Sequence, residues 1–429
     1  MRIKLAAPDS FAIGVTLPWD RPLEAWPEGL TVAMPRGISR NIVRFVHGEG
    51  GAVFALKEIP ERVAQREYEL LRLLKERGLP AVDGVGLIGG RLARDGRELK
   101  TVLVTRYLER ALPYRLLFEG RDPLASGDRL LDALVDLLIR LHLAGFYWGD
   151  CSLSNTLFRR DAGRLAAYLV DAETGEMHPS LSDGLRAYDV EQASENIAGE
   201  LMDLAAGPGL PDGFDPVAVG EELGERYHRL WHELTRDEVI SPTEQYKVTT
   251  RVKALNDLGF DVEELEMVTV DDPPDGQDGG AMAAGGRQRG MRLVLRPKVV
   301  EAGHHRRRLH QLTGIEAEEN QGRQLLTDIG RFRARLELEE GRPLAEGVAA
   351  HRWLHEVYAP TLDAVPEDLR TRLDDAEVYA QLLEHRWYLS EAAGRDIGTS
   401  AALVDYIDEV LARMPDRPPG PAGDPWPEP

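Results

Sequence analysis

Gly145-Phe146-Tyr147-Trp148-Gly149-Asp150-Cys151-Ser152-Leu153-Ser154-Asn155, followed by Leu169-Val170-Asp171, is the stretch on which the reading of this chain turns. It sets Asp150 and Asn155 in a D-x-x-x-x-N spacing and ends the next apolar run on Asp171. Carboxylate and amide oxygens are what a hard cation such as Mg²⁺ takes, and phosphoryl transfer asks mainly for positioning and charge neutralisation. Upstream, Leu130, Leu131, Leu134, Leu137, Leu138 and Leu141 recur at helical spacing, which predicts a helix over 128–144 that delivers the chain into the loop. Downstream, apolar runs at 156–158 and 165–170 flank Arg160-Asp161-Ala162-Gly163, a hairpin signal that places Asp171 at the end of a strand.

The first hundred residues supply an independent set of groups. Val53-Phe54-Ala55-Leu56-Lys57-Glu58-Ile59 reads as an apolar strand carrying one lysine. Residues 61–77 follow with Val63, Leu70, Leu71 and Leu74 as a helical stripe, and Glu67 falls on that stripe. A carboxylate on a buried face needs a partner, and Lys57 is placed to provide it. Glu69 points away from the stripe and reads as a solvated helix residue.

Taken together, these residues make the chain resemble the protein-kinase-like superfamily, and within it the bacterial lipopolysaccharide kinases that phosphorylate core heptose or Kdo sugars. It also looks like proteins in which such a region precedes a C-terminal domain of unknown function. The resemblance covers about residues 30–235 and matches the V-A-I-K and H-R-D-L-x-x-x-N patterns at Lys57 and at Asp150 to Asn155. It implies an α+β, two-lobed fold: an N-terminal extension over 1–29, an N-lobe over 30–108 and a C-lobe over 109–235. It also implies roles. Lys57 would contact the α- and β-phosphates of ATP, Glu67 would orient Lys57, Asp150 would be the base, and Asn155 with Asp171 would hold Mg²⁺. The segment 105–109, with Thr105 and Tyr107, would meet the adenine ring. The acceptor is a hydroxyl on an unidentified sugar, metabolite or protein.

The departures from the pattern bear on mechanism. In place of G-x-G-x-x-G stands Arg36-Gly37-Ile38-Ser39-Arg40-Asn41, where Gly37 alone allows close backbone approach and Ser39, Arg40 and Asn41 offer hydrogen bonds to phosphate. Ser152 occupies the position of a lysine that neutralises transition-state charge in protein kinases. Asp171-Ala172-Glu173 replaces Asp-Phe-Gly, and no Ala-Pro-Glu signature follows. Two rival readings stay open: a nucleotide-binding pseudokinase, and a nucleic-acid-associated regulator.

Composition sets bounds. The 429 residues carry a net charge of −21, which argues against broad binding to nucleic acid or anionic membrane. No apolar run reaches membrane-span length, and the N-terminus lacks a signal peptide's apolar core, so the expected location is cytoplasmic. The single cysteine, Cys151, permits no intramolecular disulfide and reads as a packing residue beside the loop. Arginine far outnumbers lysine, as in GC-rich bacterial genomes.

From about 236 to 414 the pattern predicts an α+β, mainly helical domain with a small β-hairpin: a helix over 243–258, strands over 262–270 and 291–300 around a Gly/Pro/Asp-rich mobile loop, then helices. A Pro-rich tail, 415–429, should be disordered. Arg287, Arg289, Arg292, Arg296, Lys298, Arg306, Arg307 and Arg308 stand against the single acid Glu301. They read either as a salt-bridged face meeting the acidic first half or as a site for an anionic partner. The pairs His228/His232 and His351/His355 lack the H-E-x-x-H order and read as structural or surface residues, while Trp353, Tyr379, Trp387, Tyr388 and Tyr406 read as core aromatics.

Overall fold

Val53–Ile59 (β3) alternates in burial: Phe54 and Leu56 are buried on one face, while Lys57 projects from the other. The computed structural model of the chain describes residues 1–5, 17–32, 41–48, 52–119, 127–206, 214–236, 238–240, 250, 253–255, 258, 260–270 and 292–414. β3 lies inside a five-stranded sheet with Arg2–Leu5 (β1), Ile42–His47 (β2), Gly84–Gly89 (β4) and Thr101–Arg106 (β5), in the order β1-β4-β5-β3-β2. Every neighbouring pair is antiparallel.

One face of the sheet is covered by the N-terminal segment. Leu17, Trp19, Leu23 and Trp26 share a core with Phe54, Leu56, Val102 and Val104. The fully buried Arg91 fastens that cover, pairing with Glu58 at 2.6 Å and donating Nε to the Trp19 carbonyl at 3.2 Å. The described residues of the expected N-terminal extension, 1–5 and 17–29, therefore pack as part of the sheet region.

The other face carries Glu61–Glu76 (α1), whose Ala64, Tyr68, Leu71 and Leu74 enter a second and larger core. That core continues through Gly127–Leu143 (α2), Asp183–Ala205 (α3) and Pro216–Thr235 (α4), and takes in the hairpin of Thr156–Asp161 (β6) and Arg164–Leu169 (β7). The hairpin turns at Ala162 and Gly163, both with positive φ (48° and 79°).

Glu238–Ile240 (β8), Phe260–Val270 (β9) and Arg292–Ala302 (β10) form a three-stranded antiparallel sheet, one short strand more than the expected hairpin. Its root is not detached from the first half: Phe260 and Leu255 are buried in the α1–α4 core, and the Arg140 guanidinium lies 5.5 Å from the Phe260 ring. His304–Thr313 (α5), Glu319–Glu340 (α6), Glu346–Trp353 (α7), Asp375–Ala393 (α8) and Thr399–Tyr406 (α9) then pack around Trp353, Tyr379 and Tyr406. Trp387 and Tyr388 depart from expectation, each 55% exposed. Tyr388 follows Tyr379 by nine residues, about half a turn away on a helix, so it faces outward.

Most of the expected helix over 243–258, the Gly-rich loop 271–290, the segment 33–40 with Gly37, Ser39 and Arg40, and the tail 415–429 lie outside the described residues. Among the described residues, no helix is long and apolar enough to cross a membrane.

Candidate active site

Strand period and helix period bring Lys57 and Glu67 together. Lys57 leaves β3 on the face opposite Phe54 and Leu56, and Glu67 sits on the buried stripe of α1 with Ala64, Leu71 and Leu74. Lys57 Nζ lies 3.1 Å from Glu67, 2.5 Å from Asp171 and 3.4 Å from Glu173. Glu69 is exposed, as its position off the stripe implies.

This cluster is electrostatically unbalanced, with one lysine against three carboxylates. Burial works against the Lys57 charge, but Glu67, Asp171 and Glu173 outweigh it and hold its pKa above the usual lysine value. Burial, with the charge of Asp171 behind it, pushes the Glu67 carboxyl up to about 8 against the pull of Lys57. Among the described residues, Glu67, Asp171 and Glu173 are the acids whose oxygens lie within 4.8 Å of one another, close enough to share a cation. Hard oxygen donors with excess negative charge suit Mg²⁺.

The loop 148–155 is held from beneath by α3. Asp189, fully buried, accepts the backbone N–H groups of Trp148 and Gly149, each at 2.7 Å. It also meets His142 Nε2 at 3.0 Å, while His142 Nδ1 is 2.6 Å from the Tyr227 hydroxyl. Burial lowers the His142 pKa despite Asp189, so the ring is neutral; Nε2–H then donates to Asp189 and Nδ1 accepts from Tyr227. Gly149, at φ +76°, makes the bend after Trp148; a side chain there would strike the Tyr147 ring, 2.8 Å from its Cβ. Two turns along α3, Asn196 donates to Asp150 Oδ1 at 3.3 Å and to the Cys151 carbonyl at 3.2 Å. A further turn on, Glu200 accepts Leu153 N at 2.6 Å and Ser154 N at 3.1 Å.

Asn155 Nδ2 donates to Asp150 Oδ2 at 2.9 Å and to the Asp150 carbonyl at 3.0 Å, so the two ends of the D-x-x-x-x-N spacing touch. Ser152 Oγ accepts Asn155 N at 3.2 Å, which makes it a turn-former rather than a cation substitute. Trp148 joins this loop to Asp171: its indole N–H donates to the Asp171 carbonyl at 2.9 Å. Cys151 is fully buried and burial pushes its thiol up, in keeping with a packing role.

Other expected positions fare differently. Thr105 lies in β5 opposite Ala55. The Tyr107 N–H is spent on the Val53 carbonyl at 2.9 Å, and its ring meets Phe45 edge-on at 5.7 Å. Of the basic stretch, Arg287 and Arg289 and the side chains of Arg292, Arg296 and Lys298 lie outside the described residues. Arg306 donates to the Gly78 carbonyl, Arg308 pairs with Glu346, and Arg307 also has a partner. The C-terminal end of the stretch is thus bonded to the residues that follow α1 and to α7.

Asp189, Asn196 and Glu200 went unread in the sequence, and Glu173 was read only as the end of the Asp171-Ala172-Glu173 triplet. The first three stand seven and four residues apart along the helix Asp183–Ala205, between Val190, Ala193, Ile197 and Leu201, a polar strip beside an apolar one.

Residues 229–411 match the model of a family described as "Domain of unknown function (DUF4032)", which leaves residues 1–228 outside the match. No curated protein matches the chain. A solved structure described as "WaaP in complex with acyl carrier protein" is 19% identical, and the alignment covers 53% of this chain and 100% of that one with a TM-score of 0.31. A likeness of that size leaves the function to be argued from the chain's own residues.

Proposed function

We propose that the chain is an ATP- and Mg²⁺-dependent phosphotransferase of the kinase-like type, acting on a hydroxyl acceptor. In this reading residues 30–108 and 109–235 form the two lobes, and 236–414 form a further domain. The observation that carries it is Lys57, held by Glu67 and Asp171 on one side of a loop in which Asn155 grips the Asp150 carboxylate. Lys57 is the contact for the nucleotide's phosphates, and Glu67 keeps it from folding back into the sheet. Asp150 takes the acceptor's proton; its carboxylate is aimed by Asn155 from one side and Asn196 from the other. Asp171 and Asn155 are the ligands proposed for Mg²⁺, with Glu173 close to Asp171; bound there, the ion would neutralise phosphate charge.

The pseudokinase reading draws on Ser152, whose hydroxyl is committed to the turn and offers no charge to the transition state. Melting measurements test the nucleotide part first. ATP with Mg²⁺ should raise the melting temperature, by an amount equivalent to roughly 2.7 kcal/mol at a hundred times Kd. Asp171→Asn should lose the Mg²⁺-dependent increment. No shift from millimolar ATP, ADP or GTP would overturn the proposal.

A further inference from the structure

The tip of the β6–β7 hairpin packs against the C-terminal helices, with Asp161 buried and Ala162 and Gly163 half-buried. Asp161, 2% exposed, accepts Asn320 N at 3.1 Å, Asn320 Nδ2 at 2.9 Å and Gln321 N at 2.8 Å, capping the N-terminus of α6 from outside its own chain segment. Ala162 N donates to Glu377 at 2.8 Å, and Gln321 Nε2 bridges Glu377 at 2.7 Å and the Arg160 carbonyl at 3.1 Å. Both strands are held as well as the turn. Arg159 of β6 pairs with Glu318 at 3.0 Å and Asp374 at 2.5 Å, and the Tyr168 hydroxyl of β7 donates to Glu318 at 2.7 Å.

This grip falls on the one hairpin whose two roots are Asn155 and Asp171. The ladder runs unbroken from Asp161↔Arg164 to Thr156↔Leu169, and Val170 N then donates to the Asn155 carbonyl at 3.0 Å, one residue before Asp171. A six-pair ladder is a stiff lever of about 20 Å, so the orientation of its tip sets that of its roots. Apolar packing would have joined the two regions at less desolvation cost. A buried polar network fixes direction as well as contact.

We propose that the α6 N-terminus and the Asp374–Glu377 turn of the C-terminal region form a positioning clamp on the β6–β7 hairpin, setting the mutual placement of Asn155 and Asp171. Gln321, Glu377 and Asp161 are positioning residues in this view, and the C-terminal region is a working part of the site. Its bearing on Mg²⁺ rests on the proposed phosphotransferase reading.

The test uses the full chain with Gln321→Ala and Asp161→Ala, plus Tyr168→Phe as the milder change if either fails to fold. Leu336→Ala, in the apolar core of the C-terminal helices, serves as a control for general destabilisation. Hydrogen exchange without nucleotide should show the amides of Thr156 and Val170 exchanging about tenfold faster in the clamp variants, as loss of one or two buried hydrogen bonds implies. The Mg²⁺ concentration giving half the ATP-induced melting shift should also rise about tenfold, a change the control at matched melting temperature should not produce. Faster exchange confined to residues 160–163, or equal effects from Leu336→Ala, would overturn the clamp. Wild type that shows no ATP shift would overturn the phosphotransferase reading while the exchange result still decides the clamp.

Discussion

Replacing Asp189 is the sharpest perturbation available, because one side chain satisfies three donors beneath the loop. In Asp189→Ala the N–H groups of Trp148 and Gly149 and the Nε2–H of His142 lose their acceptor. Trp148 and His142 are buried, so each pays close to the full penalty of about 1–3 kcal/mol for an unsatisfied buried donor; Gly149 is half-buried and pays less. The sum is about 3–8 kcal/mol, a large part of the roughly 5–15 kcal/mol that holds a typical domain folded. Asp189→Asn should cost about 1–2 kcal/mol: Oδ2 serves both Trp148 N and His142 Nε2 while Oδ1 serves Gly149 N, so an amide that keeps its oxygen on Trp148 and His142 turns its NH₂ against the half-buried Gly149 N–H. Urea unfolding followed by circular dichroism and tryptophan fluorescence measures both. The expected order is wild type, Asn, then Ala, and turnover should fall with the loop that carries Asp150. An Asp189→Ala protein within about 1 kcal/mol of wild type, at unchanged m-value, would refute the idea that α3 holds the loop.

Asp150→Asn should leave the ATP-induced melting shift intact and lower single-turnover phosphate transfer by about two to four orders of magnitude, whereas Lys57→Ala should weaken both; equal activity of Asp150→Asn and wild type would exclude Asp150 as the base. Arg91→Leu should destabilise by about 3–5 kcal/mol in thermal or urea unfolding, since it leaves Glu58 buried without its cation; a neutral result would mean that water reaches Glu58. Burial, and then the charge of Glu318, pushes Asp161 up to about 7, with the Asn320 and Gln321 donors opposing and Arg140 and Arg159 facing the same pocket. A carboxyl whose folded pKa is raised stabilises the fold at low pH and loses that contribution as pH rises from about 4 to about 7. Asp161→Asn should therefore reduce the stability lost between pH 5 and pH 8 by about 2–3 kcal/mol, read from urea midpoints; an unchanged profile would show that Asp161 does not titrate there.

Where the sequence was legible, the reason is locality. Lys57 and Glu67 lie ten residues apart in a strand and the helix after it, and two periodicities suffice to aim them at each other. Asp150, Asn155 and Asp171 sit in or beside one loop and its hairpin. Asp161 is the opposite case. In Arg160-Asp161-Ala162-Gly163 an aspartate is the ordinary turn residue and would be expected in water; its actual partners, Asn320 and Gln321, come about 160 residues later. No local pattern distinguishes a turn aspartate that caps its own backbone from one that caps a distant helix. Trp387 and Tyr388 failed for a related reason, because aromatic composition does not say which side of a helix its neighbours will cover.

The charge count is silent on where the acids point. In a chain of net charge −21, several of the acids are turned inward as acceptors for loop and helix-end amides. Asp189 holds residues 148 and 149, Glu200 holds 153 and 154, Asp161 holds 320 and 321, Glu319 holds 305 and 306, and Glu377 holds 162. A carboxylate has two oxygens and can close two adjacent N–H groups at once, which suits segments that have left regular hydrogen bonding. Such a carboxylate sets the direction in which a loop points. The acids nearest the proposed chemistry belong to both groups: Asp189 and Glu200 are spent on the backbone, while Asp171 and Glu173 crowd Lys57 with charge that a divalent cation would relieve. That division, invisible in composition, is what separates the acids that build this site from those that would work in it.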